Sequence, residues 1–271
     1  MKYRFIDLFA GAGGLSEGFI RAGYEPIAHI EMDHYACDSL KTRAAFHYLK
    51  ENGKLEIYEE YLKNKKEKTD GSWLWNQVPK SVIDSVIQEA IGKETLPSLF
   101  ERVDKLCNGK PVDMIIGGPP CQAYSVAGRA RLGKKIEEDP RNDLYKFYVE
   151  FLKRYKPKMF VFENVLGIFT AKGGEPFRDL IRLVRELDYN IDFREQIASQ
   201  HGVLQKRHRV IIVGWQNKRD TQEDTSYHYP YLLEEQMPYK MMRDLFCDLP
   251  IVKAGEGTLC GIVHYTKPLS D

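Results

Sequence analysis

Apolar runs alternate with amphipathic segments over most of the chain. Strands are predicted where β-branched and aromatic residues follow one another, over residues 3–9, 26–31, 112–116, 159–163 and 210–215. Helices are predicted where apolar residues recur at helical spacing, over residues 15–21, 35–50, 144–154 and 177–187. Because strands and helices alternate, the pattern predicts βαβ units and an α/β fold with a doubly wound, mostly parallel sheet.

The stretch from about residue 50 to residue 110 interrupts this alternation. It begins with a polar run rich in Lys and Glu, and then places Val82, Val86 and Ile87 at helical spacing. We interpret it as an insertion between two strands of one domain that extends over residues 1–220. From about residue 216 the chain is polar and irregular, which marks the edge of that domain.

The composition is that of an ordinary globular protein: 43% of the 271 residues are apolar and 29% are charged, with a net charge of +1. Five cysteines without C-x-x-C spacing argue against a disulfide framework or a zinc site, so we expect no metal and a reducing cytoplasmic setting. We expect no signal peptide and no membrane span. Two basic clusters, within residues 129–135 and 206–209, are by themselves typical of solvated surface.

A glycine-rich turn joins the first predicted strand to the first predicted helix. Gly11, Gly13 and Gly14 permit positive φ and let a ligand approach the backbone at the positive end of a helix dipole. Ser16 stands where the dinucleotide fingerprint G-x-G-x-x-G has its last glycine, which disfavours hydride transfer. Glu31 ends the second predicted strand, where a carboxylate can bind both ribose hydroxyls of a nucleoside. The turn predicts a nucleoside-containing cofactor; a tight turn beside a solvent-facing glutamate is the alternative.

The segment GGPPCQAYS follows a predicted central strand. Gly117 and Gly118 remove side-chain bulk, and Pro119 and Pro120 stiffen the backbone before Cys121. Open α/β sheets bind ligands beyond the carboxyl ends of their strands, and a thiolate is a strong nucleophile. We expect Cys121 to be an accessible, reactive thiol, with a buried apolar cysteine as the alternative. The remaining cysteines are expected to be buried or inert: Cys37, Cys107, Cys247 and Cys260.

Two further polar groups lie next to predicted strands. Glu163 and Asn164 end one strand, where a carboxyl group facing a semi-closed pocket can have a raised pKa and donate a proton. Gln205, Arg207 and Arg209 alternate before the last strand, so they point to one side and suit a carbonyl oxygen or phosphates. The alternatives are a helix N-cap at Asn164 and an edge strand protected by charge.

These pieces, in this order, resemble the cytosine-5 DNA methyltransferases of bacterial restriction-modification systems. They are F-x-D-L-F-x-G-x-G-G at residues 5–14, G-G-P-P-C-Q-x-x-S at 117–125, E-N-V at 163–165 and Q-x-R-x-R at 205–209. DPRNDLY at 139–145 and RDLFCDLP at 243–250 resemble two further stretches of the family. The resemblance covers nearly the whole chain apart from the insertion, and it implies a Rossmann-like fold that binds S-adenosylmethionine.

For catalysis, the resemblance implies covalent addition to a cytosine. Cys121 adds to C6, C5 then takes the methyl group of S-adenosylmethionine, and S-adenosylhomocysteine is the product. Glu163 protonates or hydrogen-bonds the ring at N3. Arg207 and Arg209 supply donors, with Arg209 expected at the cytosine O2. The base must leave the helix stack to reach the sulfur, so base flipping is implied.

The resemblance also implies binding residues. The cofactor is expected to contact Phe9, Ala10, Gly11, Gly13, Gly14, Leu15, Glu31, Met32, Pro119 and Leu144. The DNA substrate is expected to contact Gln122, Ser125, Asn164 and Gln205. Met32 stands where many relatives have an aromatic residue, and it can pack on the adenine. For the acidic residue that reads the adenine amino group, Asp84 is a candidate.

The carboxyl-terminal part departs from the family. Residues 221–271 are interpreted as a hinge and the beginning of a target-recognition region, and nothing in them resembles the N-S-V segment that closes the family. We therefore expect an amino-terminal piece, a truncated gene product, or one half of a split enzyme. The expected partners are double-stranded DNA and a cognate restriction endonuclease, and the chain is expected to be a monomer unless the enzyme is split.

Two alternative functions stay open at the level of the sequence. One is a tRNA cytosine-5 methyltransferase, from which Ser125 argues away because tRNA-type relatives usually have Thr there. The other is a catalytically silent fragment that binds only the cofactor or DNA.

Overall fold

The computed structural model describes residues 2–63, 71–120 and 143–217, together with residues 246, 247 and 249. Seven strands of this part form one sheet: β1 (Arg4–Leu8), β2 (Glu25–Glu31), β3 (Val86–Gln88), β4 (Met114–Gly117), β5 (Met159–Asn164), β6 (Tyr189–Ile197) and β7 (His208–Gln216). Their order is β3-β2-β1-β4-β5-β7-β6. The first five strands pair in parallel, and β7 runs antiparallel to β5. The predicted doubly wound, mostly parallel sheet is confirmed.

Eight α-helices lie in the described residues: α1 (Gly14–Arg21), α2 (His34–Glu51), α3 (Leu55–Lys63), α4 (Ser72–Trp75), α5 (Lys80–Asp84), α6 (Leu96–Cys107), α7 (Leu144–Tyr155) and α8 (Glu175–Glu186). Short 3-10 turns occupy Leu166–Phe169, Ala171–Gly174 and Ala198–Gln200. None of the helices in the described part of the chain has the length and apolar character needed to cross a membrane.

The sheet reverses its strand order between β1 and β4. The chain proceeds outward from β1 to β2 and β3, and then returns to place β4 on the other side of β1. Loops that follow two such strands diverge and leave a crevice at the carboxyl edge of the sheet. The glycine-rich turn follows β1 and the segment GGPP follows β4, so both lie at this crevice.

Both faces of the sheet are covered by apolar side chains. On one face, Ile6, Ile115 and Phe162 belong to the main core with residues of α6, α7 and α8. On the other face, Phe5 and Ile116 pack against the apolar side of α1. Because the central strands are buried on both faces, they read as continuous apolar runs, and the sequence predicted them for that reason.

The stretch interpreted as an insertion contributes both to a small core of its own and to the main sheet and core. Only the helices α3, α4 and α5 form a separate small core, which packs on α2 around Leu49, Tyr61 and Leu74. Val86 and Ile87, predicted at helical spacing, lie in β3 of the main sheet, and α6 contributes Leu99 and other residues to the main core. The spacing of Val82, Val86 and Ile87 was misread as helical, because a strand of three residues is too short to show the alternation of a strand.

Strand β6 was not predicted at all, although its sequence carries the signal. Tyr189, Ile191 and Phe193 alternate with polar residues, which is the period of a strand with one buried face. The described residues divide into two compact units, one holding residues 2–63, 71–120, 143–196 and 208–217 and the other holding residues 197–207, 246, 247 and 249. The boundary predicted at residue 220 stays a prediction, since residues 218–245 lie outside the described part.

Candidate cofactor and active site

The glycine turn has the backbone conformation that its sequence predicted. Gly11 and Gly13 have φ angles of 54° and 83°, and Gly13 is the N-cap of α1. Phe9, with φ 56°, is also in the left-handed region, which is rare for a bulky residue and costs conformational energy. The Ala10 N–H donates to Ile30 O at 3.1 Å, and the Gly13 N–H donates to Ala10 O at 3.0 Å. The turn is therefore fixed against β2 as well as by its own hydrogen bonds.

The glycines of this turn serve different purposes. A β-carbon at Gly13 would lie 3.0 Å from Leu40 Cδ2 and 3.2 Å from Arg43 Nε, so α2 fills that space. At Gly11 and Gly14, no heavy atom of the described residues lies within 4 Å of a β-carbon, other than neighbouring backbone. The open side of the turn therefore has room for a ligand close to the backbone.

The side chains of the neighbouring predicted contacts are mostly engaged with the protein. Ala10 is buried beside α2, Phe9 packs against the main core, and Leu15 packs against the cluster around Phe5. A cofactor would therefore meet backbone at Ala10, and the exposed part of the half-buried Phe9 and Leu15 side chains.

Glu31, the last residue of β2, is held by backbone donors. Its Oε2 accepts the Gly11 N–H at 2.8 Å, and its Oε1 accepts the N–H groups of Met32 and Asp33, both at 2.9 Å. A carboxylate has about four acceptor positions, so the three bonds orient Glu31 and leave capacity for a hydroxyl. Met32 is 68% exposed at the same edge of the sheet, where it can cover a flat ring.

Asp84, the candidate for the adenine contact, and Glu89 lie at opposite ends of β3. Asp84 ends α5 and precedes β3, so it lies at the amino end of the parallel strands, away from the glycine turn. Glu89 directly follows β3, and its N–H donates to Glu31 O at 2.9 Å. The strand pairing of Glu31 with Gln88 was the information that the sequence did not provide.

Gly117 and Gly118 allow β4 to end close to its neighbours. A β-carbon at Gly117 would lie 2.4 Å from Leu8 O, and one at Gly118 would lie 2.7 Å from Glu163 Oε2. Backbone that approaches a side chain this closely requires glycine. The glycines therefore allow the close contacts with β1 and Glu163.

Asn164 fastens the segment that leads to Cys121. It is buried, its Nδ2 donates to Pro119 O at 3.3 Å, and its Oδ1 accepts the Val165 N–H at 2.8 Å. These bonds join the end of β5 to the buried Pro119. Asn164 thus has a structural part at the site, and its predicted contact with DNA stays a prediction.

Glu163 and Arg209 form an ion pair at the crevice. Arg209 Nε lies 2.6 Å from Glu163 Oε1, and the two side chains are 22% and 27% exposed. Arg209 also donates from Nη1 to His208 O at 2.7 Å. Glu163 is opposite Ile211 in the antiparallel pair, so Arg209 is its diagonal neighbour on the same face.

Several predicted site residues are placed elsewhere or are not described. Cys121, Gln122 and Ser125 lie outside the described residues. Leu144 is the half-buried first residue of α7. In the second unit, taken by itself, Gln205 and Arg207 are exposed and lie in a loop closed by a hydrogen bond from Ala198 N to Arg207 O, 2.9 Å.

Two of the cysteines that were expected to be inert are buried. Burial and the nearby Glu31 carboxylate raise the pKa of Cys37 to about 11, and its Sγ donates to Glu31 O at 3.4 Å. Burial also raises the pKa of Cys107, although the charge of Arg4 opposes it. A thiol with a raised pKa is a poor nucleophile, so neither residue competes with Cys121 for that role.

Comparison with known proteins decides the family. The family model of C-5 cytosine-specific DNA methylases matches residues 3–73 and 88–253. The chain belongs to this family. The unmatched residues 74–87 include the end of α4 and the whole of α5, whereas α3 lies within the matched residues.

The most similar relatives include bacterial Type II methyltransferases. The chain is 33% identical to M.Bpa9945I of Bacillus paralicheniformis, over 93% of this chain and 62% of that protein. It is 29% identical to M1.HphI of Haemophilus parahaemolyticus, over 96% of this chain and 56% of that protein. The chain thus spans little more than half the length of these relatives.

Solved structures have the same fold. A DNA modification methyltransferase encoded within an E. coli prophage superposes with a TM-score of 0.51 at 27% identity, over 79% of this chain and 47% of that one. The Entamoeba histolytica methyltransferase EhMeth superposes with a TM-score of 0.52 at 17% identity, over 93% and 61%. Because EhMeth is only 17% identical to this chain, its similarity shows the fold alone.

Proposed function

We propose that the protein carrying this chain transfers a methyl group from S-adenosylmethionine to C5 of cytosine in double-stranded DNA, as the modification enzyme of a restriction system. The observation that carries the proposal is the Glu163–Arg209 pair at the crevice, with Glu163 Oε2 against Gly118, three residues before Cys121. A nucleophile, a carboxyl group and a guanidinium are the groups that addition to a pyrimidine ring requires.

The residues of the glycine turn fit the proposed cofactor. Glu31 would accept hydrogen bonds from the ribose hydroxyls, while Gly11 and Gly14 leave room for the cofactor against the backbone. Met32 would cover the adenine, and Glu89 would accept a hydrogen bond from its amino group. When bound, S-adenosylmethionine supplies the methyl group.

The chain's own groups would activate the base. The Cys121 thiolate forms a bond to C6 of a flipped cytosine, and Glu163, in its protonated form when the base is bound, donates a proton or a hydrogen bond at N3, so that electron density moves to C5. After methylation at C5, loss of the C5 proton to a base, return of the N3 proton to Glu163 and breakage of the sulfur–C6 bond restore the ring, the carboxyl group and the thiolate.

Arg209 would have two tasks in this scheme. Through its ion pair it holds Glu163 in place, and its remaining donors are available to the cytosine O2. Gln122, Ser125, Gln205 and Arg207 are proposed to contact the DNA. A cognate endonuclease, a cytoplasmic location and a monomeric state belong to the same proposal.

A methyl-transfer assay tests the function directly. The protein is incubated with methyl-labelled S-adenosylmethionine and either DNA or tRNA, and bisulfite sequencing locates the modified base. We expect label at C5 of cytosine in DNA, no transfer by Cys121→Ser, and unchanged cofactor binding by that variant. Methyl transfer to tRNA alone would show that the substrate is tRNA and not DNA. Wild-type activity of Cys121→Ser would overturn the mechanism.

Covalent capture provides a second, independent readout. DNA with 5-fluorocytosine at the target cannot lose a proton from C5, so the enzyme stays attached through Cys121 after methyl transfer. A DNA adduct that survives denaturation is expected for wild type and not for Cys121→Ser. Turnover on normal DNA without any adduct would argue against attack at C6.

A further inference from the structure

The side chain of Arg43, in the middle of α2, lies against the glycine turn. A β-carbon built on Gly13 would be 3.2 Å from Arg43 Nε and 3.3 Å from Arg43 Cδ. A β-carbon at Gly11 or Gly14 would have no heavy atom of the described residues within 4 Å, apart from neighbouring backbone. The turn is therefore supported by α2 at Gly13 and open to a ligand on either side of it.

Glu17, in the first turn of α1, fixes the position of Arg43. Its Oε2 accepts hydrogen bonds from Arg43 Nη2 at 2.7 Å and from His47 Nε2 at 2.9 Å, and its Oε1 accepts one from Arg21 Nε at 2.7 Å. Burial acts to raise the pKa of this carboxyl, but the bonds from His47 and Arg21 and the charge of Arg43 lower it to about 2. Glu17 is thus a carboxylate at any physiological pH. Its own N–H donates to Gly13 O at 3.0 Å, so it also closes the first turn of α1.

The same helix carries the other half of the candidate cofactor site. Asp33 caps α2 by accepting the Ala36 N–H at 2.8 Å, and the Asp33 N–H donates to Glu31 Oε1 at 2.9 Å. Arg43 lies nearly three turns further along α2 than Asp33. The helix therefore meets the site at two points, at Glu31 near its amino end and at Gly13 through Arg43.

We infer that Arg43 and Glu17 are positioning residues for the cofactor: the pair holds Gly13, and with it the glycine turn, in the conformation that binds S-adenosylmethionine. The inference rests on the cofactor of the proposed function. Neither side chain needs to touch the cofactor, because Arg43 lies where a β-carbon of Gly13 would point and the open sides of the turn are at Gly11 and Gly14. Without the pair, the turn would have to be ordered during binding, which lowers affinity.

Calorimetric titration with S-adenosylmethionine tests the inference on the chain itself. For Arg43→Met and Glu17→Gln we expect the Kd for S-adenosylmethionine to rise about tenfold, which is the size of effect expected when one favourable interaction is lost. Arg21→Met is the matched control, because Arg21 bonds the same carboxylate but its side chain is 77% exposed. Its Kd is expected to stay within about twofold of wild type. Arg43→Lys keeps the charge and the aliphatic stem, and should recover part of the affinity.

A second readout separates positioning from general stability. Hydrogen exchange of the Glu17 amide, which is bonded to Gly13 O, should be faster in free Arg43→Met and return to the wild-type rate with saturating S-adenosylmethionine. In the complete enzyme, KM for S-adenosylmethionine should rise while kcat and KM for DNA stay unchanged.

The outcomes distinguish this inference from the proposed function. Titrations are made well below the Tm of each variant, so that only folded protein is compared. If wild type binds S-adenosylmethionine and Arg43→Met binds it equally well, the positioning role is overturned. If wild type does not bind it, the proposed cofactor itself fails. A variant that loses only Tm, with normal Kd, also overturns the positioning role.

Discussion

Arg209 and Glu163 are joined across two antiparallel strands by an ion pair of 2.6 Å. Glu163 belongs to β5 and Arg209 to β7, and the register of the pair makes them diagonal neighbours on one face of the sheet. Both side chains are about three-quarters buried, so the carboxylate and the guanidinium interact with little competition from water. The pair gives Glu163 a fixed direction at the point where Gly118 passes beside it.

Replacement of Glu163 should reduce methyl transfer far more than binding. Glu163→Gln keeps the shape but not the acid, so kcat should fall about 10²- to 10⁴-fold, the usual contribution of a positioned acid. Arg209→Lys keeps the charge without the planar fork, and should reduce kcat less than Glu163→Gln does. Arg194→Lys, an exposed arginine of β6, is the control and should leave kcat unchanged. Equal kcat for Glu163→Gln and wild type in a single-turnover assay would rule out the acid role.

Gly118→Ala should act on Glu163 without changing its chemistry. The new β-carbon would lie 2.7 Å from Glu163 Oε2, so the carboxylate or β4 must move. A displacement of about 1 Å at a catalytic group can reduce the rate about a hundredfold. Gly18→Ala is the control, because no heavy atom of the described residues crowds its β-carbon and alanine favours helix. Steady-state kinetics measure kcat of both variants, and the affinity for S-adenosylmethionine is measured separately. Normal kcat for Gly118→Ala would show that the contact between Gly118 and Glu163 is not important for catalysis.

Residues far apart in the chain explain why the sequence predicted the pieces of the site but not their contacts. Gly117 and Gly118 were predicted to remove side-chain bulk, yet the side chain that lies against Gly118 belongs to Glu163, 45 residues later. Whether Asn164 faces a ligand or Pro119 depends on the pairing of β4 with β5, which no local pattern contains. The alternation of Gln205, Arg207 and Arg209 is visible in the sequence, whereas the partner of Arg209 follows only from the register of β7.

Short strands are a second reason why the sequence did not predict the whole site. Strand β3 has three residues, so Val86 and Ile87 fit a helical spacing as well as a strand. The sequence therefore offered Asp84 as a candidate for the adenine contact, and the structure places Asp84 at the opposite end of β3 from Glu31. The long, strongly apolar strands were predicted correctly, because burial on both faces leaves a pattern that few other structures share.

Glu89 should contribute to cofactor affinity, and Asp84 should not. Glu89→Gln replaces the acceptor of the proposed adenine contact by an amide, and Kd for S-adenosylmethionine should rise about tenfold. Asp84→Asn removes an exposed charge at the amino end of β3 and should leave Kd unchanged. Titrations with S-adenosylhomocysteine should give the same ratio, since the two ligands share the adenosine. A rise in Kd for Asp84→Asn alone would return the contact to the residue that the sequence suggested.

Asn164→Asp should destabilise the segment before Cys121. The substitution is nearly isosteric, but it places a carboxylate oxygen where Nδ2 donates to Pro119 O. Loss of a buried hydrogen bond with repulsion between two acceptors should cost about 2 kcal/mol of unfolding free energy. Urea unfolding would measure this cost. If Asn164 only contacts DNA, Asn164→Asp should weaken DNA binding and leave the unfolding free energy unchanged. The two measurements therefore distinguish a structural role of Asn164 from a role in DNA binding.

The stability that Glu17 provides should depend on pH in a definite direction. Its pKa is lowered from 4.5 to about 2 in the folded chain, because the hydrogen bonds and charge of His47, Arg21 and Arg43 outweigh burial. A carboxyl whose pKa is lowered by folding stabilises the protein above its unfolded pKa, and this contribution disappears as the pH falls from about 4.5 through about 2. Glu17→Gln should therefore cost about 1 kcal/mol at pH 7, a modest value because some partners are exposed, and the difference from wild type should shrink below pH 4.5. Urea unfolding at several pH values measures the difference, with the exposed Glu186→Gln as control. A difference between Glu17→Gln and wild type that stays constant down to pH 2 would contradict the lowered pKa.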